Sequence, residues 1–235
     1  MLTALALSLA LGGVKAQPCR PTVACTAELV PAGHAEVELG ALTGGSGTGV
    51  NLLAKVSVLD WLQVQFGSDQ LLAFDGKQAW AVDGAVAALK VRLFEQADLL
   101  PTLSLSSRLA APTRPPLPAL QSTVDLNFTA HASKDLGPVH ADLNGMFNLF
   151  GFDQAQGQVA LALSTGLTSQ VGVALEGHST FGNPRRPNDG GVRAVLTFSP
   201  VEQLVFDLGG DVGFFPQTRA WSMFFGLVFV PTDTR

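Results

Sequence analysis

The stretch "GVNLLAKVSVLDWLQVQFG" (residues 49–67) decides the fold, because its side chains alternate between apolar and polar on either side of a short corner. Before the corner, Val56 and Val58 fall on one side of the chain and Lys55 on the other. After residues 59–61 the alternation resumes, with leucine, valine and phenylalanine set against glutamine and glycine. A period of two is typical of a β-strand with two unlike faces. The stretch therefore predicts a β-hairpin with one apolar and one polar face.

The same alternation recurs along the chain and predicts twelve strands, most of them about ten residues long, the length that a tilted strand needs to cross a bilayer. The predicted strands cover residues 34–43, 48–59, 61–70, 79–93, 100–110, 122–132, 137–149, 156–164, 169–180, 190–198, 203–213 and 218–230. Short connections (59–61, 133–138, 165–168 and 199–202) tend to alternate with longer ones (68–78, 111–121 and 180–190), with exceptions at 94–99 and 43–47. Bacterial outer-membrane barrels show this asymmetry, with tight periplasmic turns and longer outer loops.

The composition favours a membrane barrel over a soluble sheet. Hydrophobic residues make up 47% of the chain and charged residues only 14%, against about a quarter charged in an average soluble domain. A soluble sheet would carry Lys and Glu on its outward face, whereas the polar faces here are mostly Asn, Thr, Ser, Gln, Gly and Ala. We therefore predict an all-β fold, a transmembrane antiparallel up-and-down β-barrel of about 12 strands, with its polar side facing inward.

The length of the apolar runs and the net charge exclude two other classes of protein. No run of 18 or more apolar residues occurs, so a helical membrane span is not expected. The formal net charge of −5 gives no basic footprint for nucleic acid.

The N-terminus has the pattern of a secretory signal, with an apolar run at 2–11 and a small-x-small cleavage site at Val14-Lys15-Ala16. No positive charge precedes the run, which leaves the true start codon open. The predicted organisation is a signal peptide (1–16), a periplasmic lead-in (17–33), the β-barrel (34–230) and a C-terminal tail (231–235).

Cys19 and Cys25 are the only cysteines and lie close together before the first predicted strand. In an oxidising periplasm we expect them to form a small disulfide loop within the lead-in. The alternative, a two-cysteine metal site, lacks a nearby histidine to complete a tetrahedral set. Pro18 directly before Cys19 makes a poor lipid-attachment site, so we expect cleavage without a lipid anchor.

Several stretches carry a resemblance to a known family: "AALKVRLFEQADLLPTLSLSSRLAAPT" (87–113), "SKDLGPVHADLNGMFNLFG" (133–151), "FSPVEQLVFDLGGDVGFF" (198–215) and "WSMFFGLVFV" (221–230). Together they resemble the outer-membrane barrel family named after the meta-pathway of phenol degradation, whose members are described as transporters. The resemblance covers nearly the whole mature chain and consists of strand and turn patterns, with no catalytic motif. It implies the barrel fold and the passage of small molecules, hydrophobic or aromatic ones among them.

Strand parity places fifteen ionisable side chains on the predicted interior face, as candidates to line the lumen. They are Glu36, Glu38, Lys55, Lys90, Arg92, Arg108, Asp125, His131, His140, Asp142, Glu176, His178, Arg193, Asp207 and Asp211. Arg193 is expected between Glu176 and Asp207 on the neighbouring strands. One interpretation is that these charges neutralise one another inside a narrow barrel. The other is that they form a polar constriction that selects solutes by size and charge.

Metal and enzymatic chemistry are weaker interpretations. The four histidines fall on separate predicted strands, and neither a His-x-x-x-His nor a Cys-x-x-Cys pattern occurs, so no metal or cofactor is expected. A lipid hydrolase would need a serine and a histidine within hydrogen-bonding reach. The histidines here face the predicted interior, while a phospholipid would approach from outside, and no Gly-x-Ser-x-Gly motif is present.

The sequence therefore predicts a passive channel or uptake protein of the bacterial outer membrane, not an enzyme. Its expected partners are outer-membrane lipids, small-molecule solutes and the barrel-insertion machinery. The first alternative is a barrel that does not conduct and has a structural or surface-interaction role, because side chains can fill a barrel of this size. An outer-membrane lipid hydrolase is the third candidate.

Overall fold

Twelve antiparallel strands form one closed sheet in the computed structural model of the chain, as the sequence predicted. The structure describes residue 19 and residues 22–44, 47–74, 83–112, 123–183, 188–215 and 221–231. The predicted signal peptide and residues 232–235 of the predicted tail lie outside this part of the chain. The strands are β1 (Ala35–Gly44), β2 (Gly47–Leu59), β3 (Leu62–Phe74), β4 (Asp83–Phe94), β5 (Thr102–Ala111), β6 (Asp125–Leu136), β7 (Val139–Phe150), β8 (Gln154–Gly166), β9 (Val171–Phe181), β10 (Gly190–Val201), β11 (Leu204–Gly213) and β12 (Trp221–Phe229).

Each strand pairs with its neighbours in sequence, and β1 closes the barrel by pairing with β12. The closing ladder runs from Val37 opposite Phe229 to Gly44 opposite Ser222. Closure matters because an open edge would leave a row of backbone N–H and C=O groups without partners. The described residues include no helix of the length and hydrophobicity needed to cross a membrane.

The sheet is inverted relative to that of a soluble protein, because its apolar face is exposed and its polar face lines the interior. Val58 and Phe66 in the hairpin of β2 and β3 are 56% and 55% exposed, while Lys55 and Gln63 on the opposite face are 1% exposed. Most large apolar side chains on the other strands follow the same rule, as does Leu161 on β8, which is 46% exposed, with exceptions such as Phe224 on β12, which is 3% exposed. Apolar side chains outward and polar side chains inward are the arrangement of a transmembrane β-barrel.

Tight turns close one end of the barrel, where β1 begins and β12 ends. Asp60 and Trp61 connect β2 to β3, and Gly137 and Pro138 connect β6 to β7. The second turn is shorter than the predicted connection at 133–138, because β6 continues to Leu136. Gly137 has a φ of +68°, a left-handed conformation that glycine adopts without steric cost.

Gly67, at the end of the stretch that decided the fold, permits a close approach between β2 and β3. The register of these strands shifts between Val50 and Leu52. A Cβ atom at residue 67 would lie 2.1 Å from the carbonyl oxygen of Leu52. Only glycine fits such a contact, and a glycine within a strand commonly marks an irregularity of this kind.

We predict that Leu161→Arg lowers the free energy of unfolding by about 2–4 kcal/mol, because it places a charge on the outward face near the middle of β8. The measurement is equilibrium unfolding of the barrel in phospholipid vesicles. The matched control is Leu167→Arg, which changes an exposed leucine in the turn after β8. Equal effects of the two substitutions would show that the outward face of the barrel does not contact hydrocarbon.

Candidate functional site

The chain before β1 enters the barrel. We call residues 22–34 the inner segment. Ala24, Ala27 and Val30 are 1%, 0% and 1% exposed, and Ala24 packs against Ala160 and Ala162 on β8. The sequence analysis assigned this stretch to a periplasmic lead-in, whereas the structure buries much of it against the interior wall of the barrel.

Backbone N–H groups of the inner segment donate hydrogen bonds to polar side chains of the wall. The N–H of Ala24 donates to Glu176 Oε2 on β9 at 2.7 Å, and that of Val30 donates to Gln63 Oε1 on β3 at 3.1 Å. Between them, the N–H of Ala27 donates to Ser133 Oγ on β6 at 2.6 Å. Because β3, β6 and β9 lie on different sides of the barrel, the segment crosses the lumen.

Carbonyl groups of the inner segment bind the buried ammonium of Lys90 on β4. Lys90 Nζ donates to the carbonyl oxygens of Thr26 and Glu28, the latter at 2.9 Å. The Glu28 side chain is held as well, since Thr102 Oγ1 donates to Glu28 Oε1 at 2.5 Å and Arg92 Nη1 lies 3.7 Å from Glu28 Oε2. The inner segment therefore supplies partners for polar groups of β4 and β5.

A cluster of three charges on β1 and β2 anchors the start of the described chain. Lys55 Nζ lies 2.7 Å from Glu36 Oε1 and also pairs with Glu38, and none of the three side chains is more than 1% exposed. The N–H of Cys19 donates to Glu38 Oε1 at 2.7 Å. Cys19 and Cys25 form a disulfide, so the anchor on β1 is covalently tied to the inner segment.

A second cluster lies on β9, β10 and β11, where Glu176, Arg193 and Asp211 occupy directly opposed positions. Arg193 Nη2 lies 3.2 Å from Asp211 Oδ2, and Arg193 Nε lies 3.9 Å from Glu176 Oε1. His178 Nε2 approaches Asp211 Oδ2 to 3.7 Å. The expected neighbour of Arg193 on β11 was Asp207, but the register places Asp207 opposite Thr197.

Ser106 and His131 form the nearest arrangement to a hydrolytic site. Ser106 Oγ lies 2.8 Å from His131 Nε2, and His131 Nδ1 lies 3.3 Å from the carbonyl oxygen of Cys25. In a Ser-His-Asp site a carboxylate would hold the second imidazole nitrogen, whereas here a backbone carbonyl of the inner segment does. Within the described part of the chain, no three His, Cys, Asp or Glu residues are arranged to hold a metal ion.

The remaining predicted interior residues lie nearer the two ends of the barrel. Arg108 pairs with Asp69 on β3. Asp125, at the start of β6, accepts a hydrogen bond from the N–H of Gly151 at 3.1 Å. Near the tight turns, His140 Nε2 lies 3.1 Å from Asp142 Oδ1, and these side chains are only partly buried.

Two cavities adjoin the inner segment. The upper cavity, toward the longer connections, has a volume of about 220 Å³ and is lined by residues of β1 to β7 together with Val23, Cys19 and Cys25. The lower cavity, toward the tight turns, has a volume of about 480 Å³ and is lined by residues of β7 to β11 together with Thr22. Val23 and Cys25 line the upper cavity and Thr22 lines the lower one, so the start of the inner segment separates the two.

The sequence analysis missed the inner segment and the wall residues that hold it, Gln63 and Ser133 among them. A usable signal was present in "TVACTAELV" (22–30), which is apolar or small except for two threonines and Glu28. Such a stretch outside the strand pattern favours burial. Its contacts join residues as far apart in sequence as Ala24 and Glu176, which a periodic pattern does not reveal.

Comparison with known proteins identifies the fold. No protein-family model matches the chain, and no curated protein matches its sequence. An outer-membrane channel from Pseudomonas putida F1 superimposes with a TM-score of 0.66 at 13% identity, over 87% of this chain and 97% of that one. The KdgM porin in complex with disordered oligogalacturonate (TM-score 0.60, 8% identity) and the NanC porin (0.59, 9%) each align with 83% of this chain and 98% of their own. At these identities the likeness shows a shared barrel fold.

We predict that Arg193→Met lowers the free energy of unfolding by about 3–5 kcal/mol, because it leaves Glu176 and Asp211 buried without their cation. Equilibrium unfolding in vesicles measures the change. Arg92→Met serves as the control, since Arg92 is partly exposed and pairs with the exposed Glu95, and such a pair contributes about 0–1 kcal/mol. A loss at Arg193 no larger than at Arg92 would contradict the structural importance of the cluster.

Proposed function

We propose that the protein is an outer-membrane channel through which small molecules, hydrophobic or aromatic ones among them, pass without a covalent step. The observation that carries the proposal is the pair of cavities on either side of the inner segment, inside a closed barrel with a polar interior. A solute that crosses must move from the upper cavity past this segment into the lower one. The fifteen predicted interior residues would then line the path or hold the segment that interrupts it.

The outer-membrane location and the family are parts of the same proposal. The exposed apolar face and the tight turns at one end support a bacterial outer membrane, with lipids as the surrounding partner. The barrel fold shared with the P. putida channel supports membership of the family named after the meta-pathway of phenol degradation. We infer that the barrel-insertion machinery assembles the protein after a signal peptide directs its export.

The size of the cavities limits the solutes. Pockets for drug-sized ligands have volumes of roughly 300–1,000 Å³, so the upper cavity, at about 220 Å³, fits only smaller molecules. Sugars with several rings would require the inner segment to leave its position.

A barrel that does not conduct remains the second candidate, and one observation favours it. Lys55 and Lys90 are 1% exposed, and Lys90 donates to carbonyl oxygens of the inner segment, as expected where side chains and an inserted segment fill the lumen. In this alternative the segment is a permanent part of the interior, and the protein acts through its outer surface.

Deletion of residues 19–30 separates the two candidates, and we predict that it raises single-channel conductance in planar bilayers severalfold. The deletion removes the backbone groups that cross the lumen but keeps β1 and the hydrogen bonds of Gly33 and His34 to Ser57. The control variant is Glu202→Gln, an exposed change in the turn between β10 and β11.

A folded deletion variant with the same conductance as the parent chain would contradict the proposed path through the lumen. If the parent chain and the deletion variant are both silent, the structural role is correct.

A further inference from the structure

The connection between β4 and β5 differs from the other turns at its end of the barrel. We call residues 95–101, "EQADLLP", the apolar turn. It has seven residues, whereas the turns from β2 to β3, from β6 to β7 and from β10 to β11 have two residues each. Its tip carries two leucines, of which Leu99 is 93% exposed and Leu100 is 65% exposed. A single exposed leucine is common in proteins, but two at the tip of one turn favour contact with another surface.

Backbone groups at the tip of the apolar turn have partners within the protein. The N–H of Leu100 donates to the carbonyl oxygen of Ala97 at 2.8 Å, and the N–H of Ala97 donates to that of Leu100 at 3.2 Å. Lys134 Nζ on β6 donates to the carbonyl oxygens of Asp98 and Leu100, the latter at 3.2 Å. Water can supply partners to an exposed turn, whereas lipid cannot. The tip therefore meets the requirement for contact with a membrane.

The contact with Lys134 places the tip on the outward side of the barrel. The neighbouring Ser133 side chain points inward, where its Oγ accepts the N–H of Ala27, so Lys134 lies on the outward face by strand alternation. Leu136 follows on the same face and is exposed, as is Leu93 near the end of β4. The leucines of the tip thus adjoin the apolar outward face, which contacts lipid in a transmembrane β-barrel.

Charged side chains beside the two leucines suit the boundary between water and hydrocarbon. Glu95 is exposed and pairs with Arg92, and Asp98 at the tip is exposed as well. Lys134 can lay its stem along apolar surface while its ammonium stays at the polar boundary. A charge is costly at the middle of a bilayer and far less so near its surface. The apolar turn therefore fits the headgroup region, with its leucines directed toward the acyl chains.

We propose that the apolar turn is a membrane anchor that inserts Leu99 and Leu100 into the lipid leaflet at the tight-turn end of the barrel. Its partner is a phospholipid surface, whose acyl chains contact the two leucines and whose headgroups surround Glu95 and Asp98. In an outer-membrane barrel this is the periplasmic leaflet. The anchor rests on the membrane location that we propose and does not depend on the passage of solutes.

The test places a fluorescent side chain at the tip. Leu99→Trp is introduced into the full chain together with Trp61→Phe, Trp80→Phe and Trp221→Phe, so that residue 99 alone reports. The variant is folded in phosphatidylcholine vesicles with brominated acyl chains, which quench a tryptophan in contact with them. We expect its emission to fall by about half or more relative to vesicles without bromine, because the tip lies among the acyl chains.

Two controls in the same background bracket this result. Leu161→Trp lies on the outward face of β8 and should be quenched at least as strongly as Leu99→Trp. Glu202→Trp lies in the exposed turn between β10 and β11 and should lose less than about a tenth of its emission, because water surrounds that turn.

Quenching of Leu161→Trp without quenching of Leu99→Trp would overturn the anchor and keep the membrane barrel. Equal quenching of Leu99→Trp and Glu202→Trp would also overturn it, and no quenching at any position would refute the membrane location itself. An unquenched but blue-shifted Leu99→Trp, with dimers of the parent chain in analytical ultracentrifugation, would assign the patch to a second copy instead.

A second measurement decides if the background without native tryptophans does not fold. Leu99→Ser combined with Leu100→Ser in the parent chain should raise the equilibrium constant of unfolding in vesicles about tenfold or more, because two leucines lose their contact with acyl chains. A rise of less than about twofold would overturn the anchor, since leucines in water contribute little to stability.

Discussion

Polar groups on the inner wall of a narrow barrel must find partners inside the barrel, and this constraint organises the rest of the structure. The closed sheet satisfies its own backbone, so the unmet demand comes from side chains such as Glu176, Gln63 and Lys90. The inner segment also needs hydrogen-bond partners. Its backbone N–H and C=O groups are not part of a sheet and would otherwise be buried without partners. The segment and the wall satisfy each other's polar groups. N–H groups of the segment donate to oxygens of the wall, and its carbonyl groups accept from Lys90. A buried polar group left without a partner costs about 1–3 kcal/mol, which explains why the segment lies inside the lumen.

The register of the sheet decides which charges compensate one another. Glu36 lies directly opposite Lys55, and Arg193 lies opposite both Glu176 and Asp211. Side chains at directly opposed positions are close enough to interact strongly, so these clusters form from neighbouring strands before any distant part of the chain contributes. The outward face needs no such pairing, because apolar side chains there contact a medium without hydrogen bonds. The two faces of the barrel therefore have different requirements. Any large hydrophobic residue can occupy the outward face, whereas a polar residue in the interior depends on a particular partner.

This difference between the two faces also explains which features of the structure could be predicted from the sequence. The faces and the number of strands follow from a period of two, and all twelve predicted strands are present because the pattern is local and repeated. The pairing of Arg193 with Asp211 instead of Asp207 depends on the register of β10 and β11, which is shifted from the expected one because β10 continues to Val201, into the predicted connection at 199–202. Such a shift leaves no mark in the alternation itself. The inner segment escaped prediction for a different reason, since its partners come from seven strands, β2 to β6, β8 and β9, and its own residues show no period.

The contacts of the inner segment differ in kind from those of the wall. The barrel is held by twelve ladders between neighbouring strands, while the segment is held by separate hydrogen bonds, each contributing a net of about 0.5–1.5 kcal/mol. Water can form hydrogen bonds with the same groups, so displacement of the segment would not require the sheet to open. The disulfide between Cys19 and Cys25 constrains such a displacement. Because Cys19 is tied to Cys25, the contact with Glu38 on β1 and the contact between Cys25 and His131 on β6 cannot separate far from each other. The loop closed by the disulfide is therefore held at two places on the wall, by Glu38 on β1 and by His131 on β6.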